Sequence, residues 1–198
     1  MGFSHSWIAV RGLTPKRAME VLGMEVSPTP RPGLFMQGVA LIFLPDWLVA
    51  ISDRDDDAFK GSLSKLAALG PAVACSINER VMHSEARGYE GGEQRWGIIH
   101  DPNGGESLYS LQITGNPPDQ IEGIVSGAKA EQDSEGGEDA DVDMMFDIPP
   151  KLAESICGFS LGEGDLDAIR YSSLKPIGSP ELTEKRGFLA RLFGRDQG

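Results

Sequence analysis

Residues Val73 to Ile113 read VACSINERVMHSEARGYEGGEQRWGIIHDPNGGESLYSLQI, and four short runs within them have the composition of β-strands. The runs are Val73 to Ile77, Val81 to Arg87, Arg95 to His100 and Leu108 to Ile113, with turn signals at Gly91-Gly92 and Asn103-Gly104. Both dipeptides supply the positive φ that a two-residue hairpin turn needs. A turn at Gly91-Gly92 sets Glu90 opposite Glu93, and with it His83 opposite His100, Glu85 opposite Ile98 and Arg87 opposite Trp96. A turn at Asn103-Gly104 sets Ser107 beside His100, Tyr109 beside Ile98 and Leu111 beside Trp96. One face then carries Trp96, Ile98, Tyr109 and Leu111, with both histidines and Ser107 at one end. A slip of one residue would send every side chain to the other face, so the coherence of this apolar face supports the two registers.

The rest of the chain supplies partners for this meander. Ser4 to Val10 is a further β-rich run. A helix follows, with Thr14 as N-cap, Pro15 at the first helical position and Gly23 as C-cap. Pro28, Pro30 and Pro32 mark an extended connector without ladder donors. Val39 to Leu44 and Trp47 to Ile51 are near-continuous apolar runs, the pattern of strands covered on both faces. Asp53, Asp55, Asp56 and Asp57 open a second helix, whose stripe is Phe59, Leu63, Leu66 and Ala67 and which Gly70-Pro71 stops. Ile121, Ile124 and Val125 suggest a third between Pro117 and Ala130, and Lys151 to Cys157 a short one ending at Gly158. The fold class is therefore α+β: a mostly antiparallel sheet of six or seven strands with two or three helices packed on it. The expected organisation is an α+β domain over 1–130, an acidic flexible insert over 131–143, a short helical segment packing back over 144–161, and a loose tail over 162–198.

The chain has 198 residues, with 18 basic and 30 acidic side chains giving a net charge of −12. At 40% hydrophobic and 7% aromatic residues the composition is that of a globular domain. Nucleic acid is excluded as the expected partner, because phosphate contacts need clustered Lys and Arg. The charge is local. Glu131, Asp133, Glu135, Glu138, Asp139, Asp141, Asp143 and Asp147 fall in one run without a basic residue, so the remainder carries −12 + 8 = −4. Cys75 and Cys157 sit among apolar residues and read as buried thiols, though two cysteines are enough for one bridge. The longest apolar run, Gly38 to Ile51, is broken at Pro45-Asp46, too early for a membrane helix of about 20 residues. With no secretory leader visible, the expected location is cytoplasmic.

Most catalytic signatures are missing. Ser62-x-x-Lys65 and Ser172-x-x-Lys175 match an acyl-enzyme pattern without its partner motifs. Asp53-x-Asp55-x-Asp57 and Asp139-x-Asp141-x-Asp143 resemble the start of a calcium loop. They lack its sixth-position Gly and twelfth-position Glu. The candidate catalytic or metal-ligating residues are His83 and His100, with Ser107 and Tyr109 beside them. Two imidazoles fall short of the three or four ligands of a zinc site. No cofactor is implied. The candidate partner-binding residues are Glu131, Asp133, Glu135, Glu138, Asp139, Asp141 and Asp143, together with Phe188, Leu189, Leu192 and Phe193. Those last four lie at helical spacing in a basic tail, 186–195, suited to an anionic membrane surface or a partner's groove.

The opening Trp7-Ile8-Ala9-Val10-Arg11-Gly12, followed by Thr14-Pro15 and Leu22-Gly23, resembles the start of a group of uncharacterised bacterial proteins. Val81-Met82-His83-Ser84 with Trp96 and His100-Asp101, and Phe146-Asp147-Ile148-Pro149 before Gly158, are similar to the same group. Some of its members resemble small cytosolic immunity-type proteins that bind and neutralise a toxin. The resemblance implies protein binding and carries over no catalytic residue. The expected function is thus binding of a basic protein partner. A small enzyme or metal-binding protein using His83 and His100 is the alternative, and a membrane-surface adaptor held by the tail is a third.

Overall fold

The computed structural model describes residues 4–28, 38–52, 61, 64–104, 107–161 and 170–178. Its middle strand is β1 (Ser4–Arg11), buried at every position but its ends. Then come α1 (Pro15–Leu22), β2 (Met24–Val26), β3 (Val39–Phe43), β4 (Trp47–Ser52) and α2 (helical residues 64–67). The meander follows as β5 (Ala72–Asn78), β6 (His83–Glu90), β7 (Glu93–His100) and β8 (Gln112–Gly115). The chain continues with α3 (Gln120–Glu135), α4 (Ile148–Cys157) and β9 (Tyr171–Pro176). The strands form one antiparallel sheet in the order β2-β9-β3-β4-β1-β5-β6-β7-β8.

The central strands are apolar throughout because alternate residues feed two cores. Trp7, Val49, Ile98, Ile148 and Leu152 belong to the core beneath α3 and α4. Ile8, Val10, Leu41, Ala18 and Leu66 belong to the core beneath α1 and α2. Each fully buried Ile or Leu contributes about 1.5–3 kcal/mol. Phe159 closes the first core edge-on against Trp7, with ring centroids 5.1 Å apart. Cys75 and Cys157 are buried free thiols in the same core.

The α+β class and antiparallel sheet are those expected from the sequence, but the sheet has nine strands and four helices surround it among the described residues. The additional strands are β2, only three residues long, and β9, which lies in the stretch expected to be loose. Both are short or weakly patterned alone and exist because β9 pairs with β3 on one side and with β2 on the other. The start of α1 matches its sequence signals, with Thr14 Oγ1 accepting from Arg17 N at 3.4 Å. At its other end Gly23, at φ +65°, turns the chain directly into β2. The acidic run expected to be a flexible insert instead carries α3 on to Glu135 and forms a 3-10 turn at Gly137–Asp139.

The meander also corrects the registers. Gly91-Gly92 is the turn and Glu90 faces Glu93, but an irregularity at Gly88/Tyr89 shifts the ladder by one residue. Beyond it Gly88 faces Trp96, Ala86 faces Ile98 and Ser84, not His83, faces His100. The cause is steric. The Trp96 indole lies across Gly88, where an added Cβ would come within 2.0 Å of Trp96 Nε1. The second connection is longer than a two-residue hairpin. Asp101 Oδ1 accepts from the backbone N–H groups of Asn103 and Gly104, both at 3.1 Å, and pairing resumes only with Ile99 facing Gln112 and Ile98 facing Ile113. Ser107, Tyr109 and Leu111 therefore lie in the connection and not opposite His100, Ile98 and Trp96.

Candidate functional site

The shifted ladder separates the two histidines. His83 faces Asn78 on β5 and is half-buried, whereas His100 is fully buried on the face beneath α3 and α4. One residue of register is one reversal of side-chain direction, so the expected His83/His100 pair does not form. Among the described residues no group of three or more His, Cys, Asp and Glu is placed to hold a metal ion.

His100 has a different partner. Its Nε2 lies 2.9 Å from Asp143 Oδ2 and its Nδ1 lies 2.9 Å from the Ser110 carbonyl. The other Asp143 oxygen accepts from the N–H groups of Met145 and Phe146, at 3.1 and 3.2 Å, and caps the 3-10 turn Met144–Asp147. The Ser84 hydroxyl, opposite His100 on β6, donates to the Phe146 carbonyl at 2.7 Å. Asp143 thus ties the end of β7 to the turn that leads into α4. A general base needs a nitrogen within reach of a substrate proton, and both His100 nitrogens are engaged in a ring with no exposure.

The remaining candidates gather on the outside of this tie. Tyr109 donates its hydroxyl to Asp133, and Ser107 donates its hydroxyl to Glu138. The hydrogen bond to the Asp133 carboxylate holds the Tyr109 phenol protonated, pushing its pKa up to about 12. Glu131, Asp133, Glu135, Glu138, Asp139 and Asp141 are exposed, whereas Asp143 turns inward. Phe188, Leu189, Leu192 and Phe193 lie outside the described residues, as does the Asp53–Asp57 run.

Sequence reasoning missed Gln132. Its side chain is fully buried, with Nε2 donating to the carbonyls of Gly137 at 2.8 Å and Val142 at 3.0 Å, and Oε1 accepting from Met144 N at 2.8 Å. An uncharged residue inside an acidic run is its only trace in the sequence. Also missed was the stacking of the Arg11 guanidinium on Trp47, 5.0 Å from the ring centroid, across the β1–β4 ladder. It borders an open cleft of about 630 Å³ lined by Leu13, Phe43, Pro45 and Asp46.

The chain matches no protein-family model, no curated protein and no solved structure. Among the described residues no helix is long and apolar enough to cross a membrane.

Proposed function

We propose that this chain acts by binding a basic protein partner through the acidic surface of residues 131–141, in the manner of an immunity protein that neutralises its target. The observation that carries the reading is the frame under that surface. Three hydrogen bonds made by the Gln132 side chain and the Asp143 tie to His100 fix the loop whose outer side presents Glu138, Asp139 and Asp141, next to Glu131 and Glu135 at the end of α3. A surface fixed before binding avoids much of the ordering cost that a loose acidic tail would incur. Clustered charge of one sign speeds encounter with an oppositely charged partner by roughly tenfold to a thousandfold, an effect that salt screens.

The test is affinity capture from the source organism's lysate at low and moderate salt, using the intact chain and a variant carrying Glu131→Gln, Glu135→Gln, Asp139→Asn and Asp141→Asn. The expected result is one stoichiometric protein retained by the intact chain at low salt, and lost both with the variant and at moderate salt. A protein held equally by both chains, or none held by either, refutes the reading.

A further inference from the structure

The two outer edges of the sheet, β2 and β8, are built differently. β2 is three residues long, carries Glu25 paired with Lys175 across the β9 ladder at 3.3 Å, and is followed in the chain by Pro28, Pro30 and Pro32. Shortness, charge and proline are the ordinary devices that keep another chain from pairing with a sheet edge. β8 is exposed at all of its positions, and 107–118 contains no Asp, Glu, Lys or Arg in a chain that is 24% charged. No proline interrupts it before Pro117, and Ile113 is 47% exposed. The Asn116 N–H donates to the Arg95 carbonyl at 3.3 Å, one step beyond the pair Gly115 and Trp96. Backbone groups alternate in direction along an antiparallel ladder, so Gln112 and Thr114 turn theirs toward β7. Ile113 and Gly115 turn their N–H and C=O groups outward, and among the described residues no strand pairs with that side.

Ile113 rises on the α3 side of the sheet, because its ladder partner Ile98 belongs to the core beneath α3 and α4. The chain also enters β8 from the acidic surface, where Ser107 donates to Glu138 and Tyr109 to Asp133. At about 3.3 Å per residue of extended chain, Ile113 lies within about 13 Å of Tyr109. We propose that the basic partner lays an extended segment along the outer edge of β8 as an added strand, with an apolar residue beside Ile113 and its cations beyond, toward Asp133 and Glu138. The partner's charge rests on the acidic-surface reading; the edge adds the form of the segment that it presents. A second copy of this chain is the poorer occupant, because pairing two β8 edges brings two acidic surfaces together.

The test titrates the ¹⁵N-labelled full chain with two synthetic peptides and follows its amides by NMR. One peptide alternates valine with threonine between terminal lysines; the other has proline in place of each valine and the same charge. The first is expected to shift the amides of Ile113 and Gly115 and to protect them from hydrogen exchange, and the second to leave them unmoved. Ile113→Pro removes an outward N–H without touching the bonds to β7, at an edge position that tolerates proline. It is expected to bind the first peptide about tenfold more weakly while its β7 amides keep the parent's positions. Ile113→Lys, which keeps every backbone group and sets a cation at the edge, carries the same expectation if the proline variant fails to fold. Equal binding by parent and variants, an equal response to both peptides, or no response to either overturns the strand docking. Shifts confined to residues 131–141 overturn it too, and leave the acidic-surface reading standing. Shifts at Ile113 and Gly115 that are undiminished at moderate salt and in the variant amidated at 131, 135, 139 and 141 overturn the choice of a basic segment. Shifts that depend on the chain's own concentration without peptide make a second copy the occupant and overturn the proposal.

Discussion

Replacing Gly88 with alanine would put a methyl carbon 2.0 Å from Trp96 Nε1, 2.2 Å from Cε2 and 2.7 Å from Cζ2, against an ordinary contact distance of 3.4–4 Å. Trp96 is only 8% exposed and belongs with Ile98 to the core beneath α3 and α4, so the indole cannot move aside without disturbing that core. Overpacking of this kind costs about 1–3 kcal/mol. Expelling the ring forfeits burial of about 150–250 Å², or roughly 4–6 kcal/mol at about 25 cal/mol per Å². Against either stands a gain of about 0.5–1 kcal/mol from removing a strand glycine. The net expectation for Gly88→Ala is a loss of up to about 2.5 kcal/mol if the core absorbs the methyl and of about 3–5.5 kcal/mol if the ring is expelled; for a chain of this length each kcal/mol lowers Tm by roughly 2–4 °C. Chemical denaturation followed by far-ultraviolet circular dichroism measures it. The decisive comparison is made in a Trp96→Leu background, where the obstacle is gone and Gly88→Ala should be neutral or stabilising, giving a coupling of about 1 kcal/mol or more. An equal loss in both backgrounds would refute the account of the shifted register.

Three further outcomes follow from the same geometry. Gln132→Leu strands the carbonyls of Gly137 and Val142 and the N–H of Met144, and should cost about 2–4 kcal/mol; a denaturation midpoint unchanged from the parent would contradict the frame described for the acidic loop. His5 is 4% exposed, and burial lowers its pKa from 6.5 to about 4 despite the opposing pull of Glu79. The unfolded chain therefore binds more protons between these values, so this contribution is complete above pH 6.5 and fades as pH falls toward 4. It is worth up to about 3 kcal/mol, and His5→Phe should flatten that part of the stability profile; identical profiles for the two proteins would argue against it. Burial raises the Cys157 thiol to about 11 and pushes the Cys75 thiol up further. Neither should react with a disulfide reagent near neutral pH until denaturant is added, and prompt labelling of the native protein would show that the thiols are accessible.

Some of this was legible locally. The Thr14, Pro15 and Gly23 signals lie within one helix and its ends, and each acts through a neighbour a few residues away. The apolar continuity of β3 and β4 reflects burial on both faces, which composition alone conveys. Gly91-Gly92 marked its turn correctly because a hairpin turn is a property of its own backbone. The candidate site was less accessible. His100, Tyr109 and Ser107 stood out as chemistry-bearing residues, but their expected grouping rested on a regular ladder.

By itself, then, the sequence determined the α+β class, most of the strands and the place of the acidic run, since these depend on short-range pattern and composition. Tertiary structure decided what those residues face. The ladder shifts because the Trp96 indole needs the bare backbone of Gly88, a fit that spacing and hydropathy do not encode. That single shift turns His83 and His100 to opposite faces. Asp143 reaches His100 across 43 residues of chain, and Gln132 becomes a buried anchor because the loop 137–144 folds back over it. Both are polar side chains in an acidic stretch that would remain in water if the loop did not close. Packing, by removing the water, makes each of their hydrogen bonds necessary.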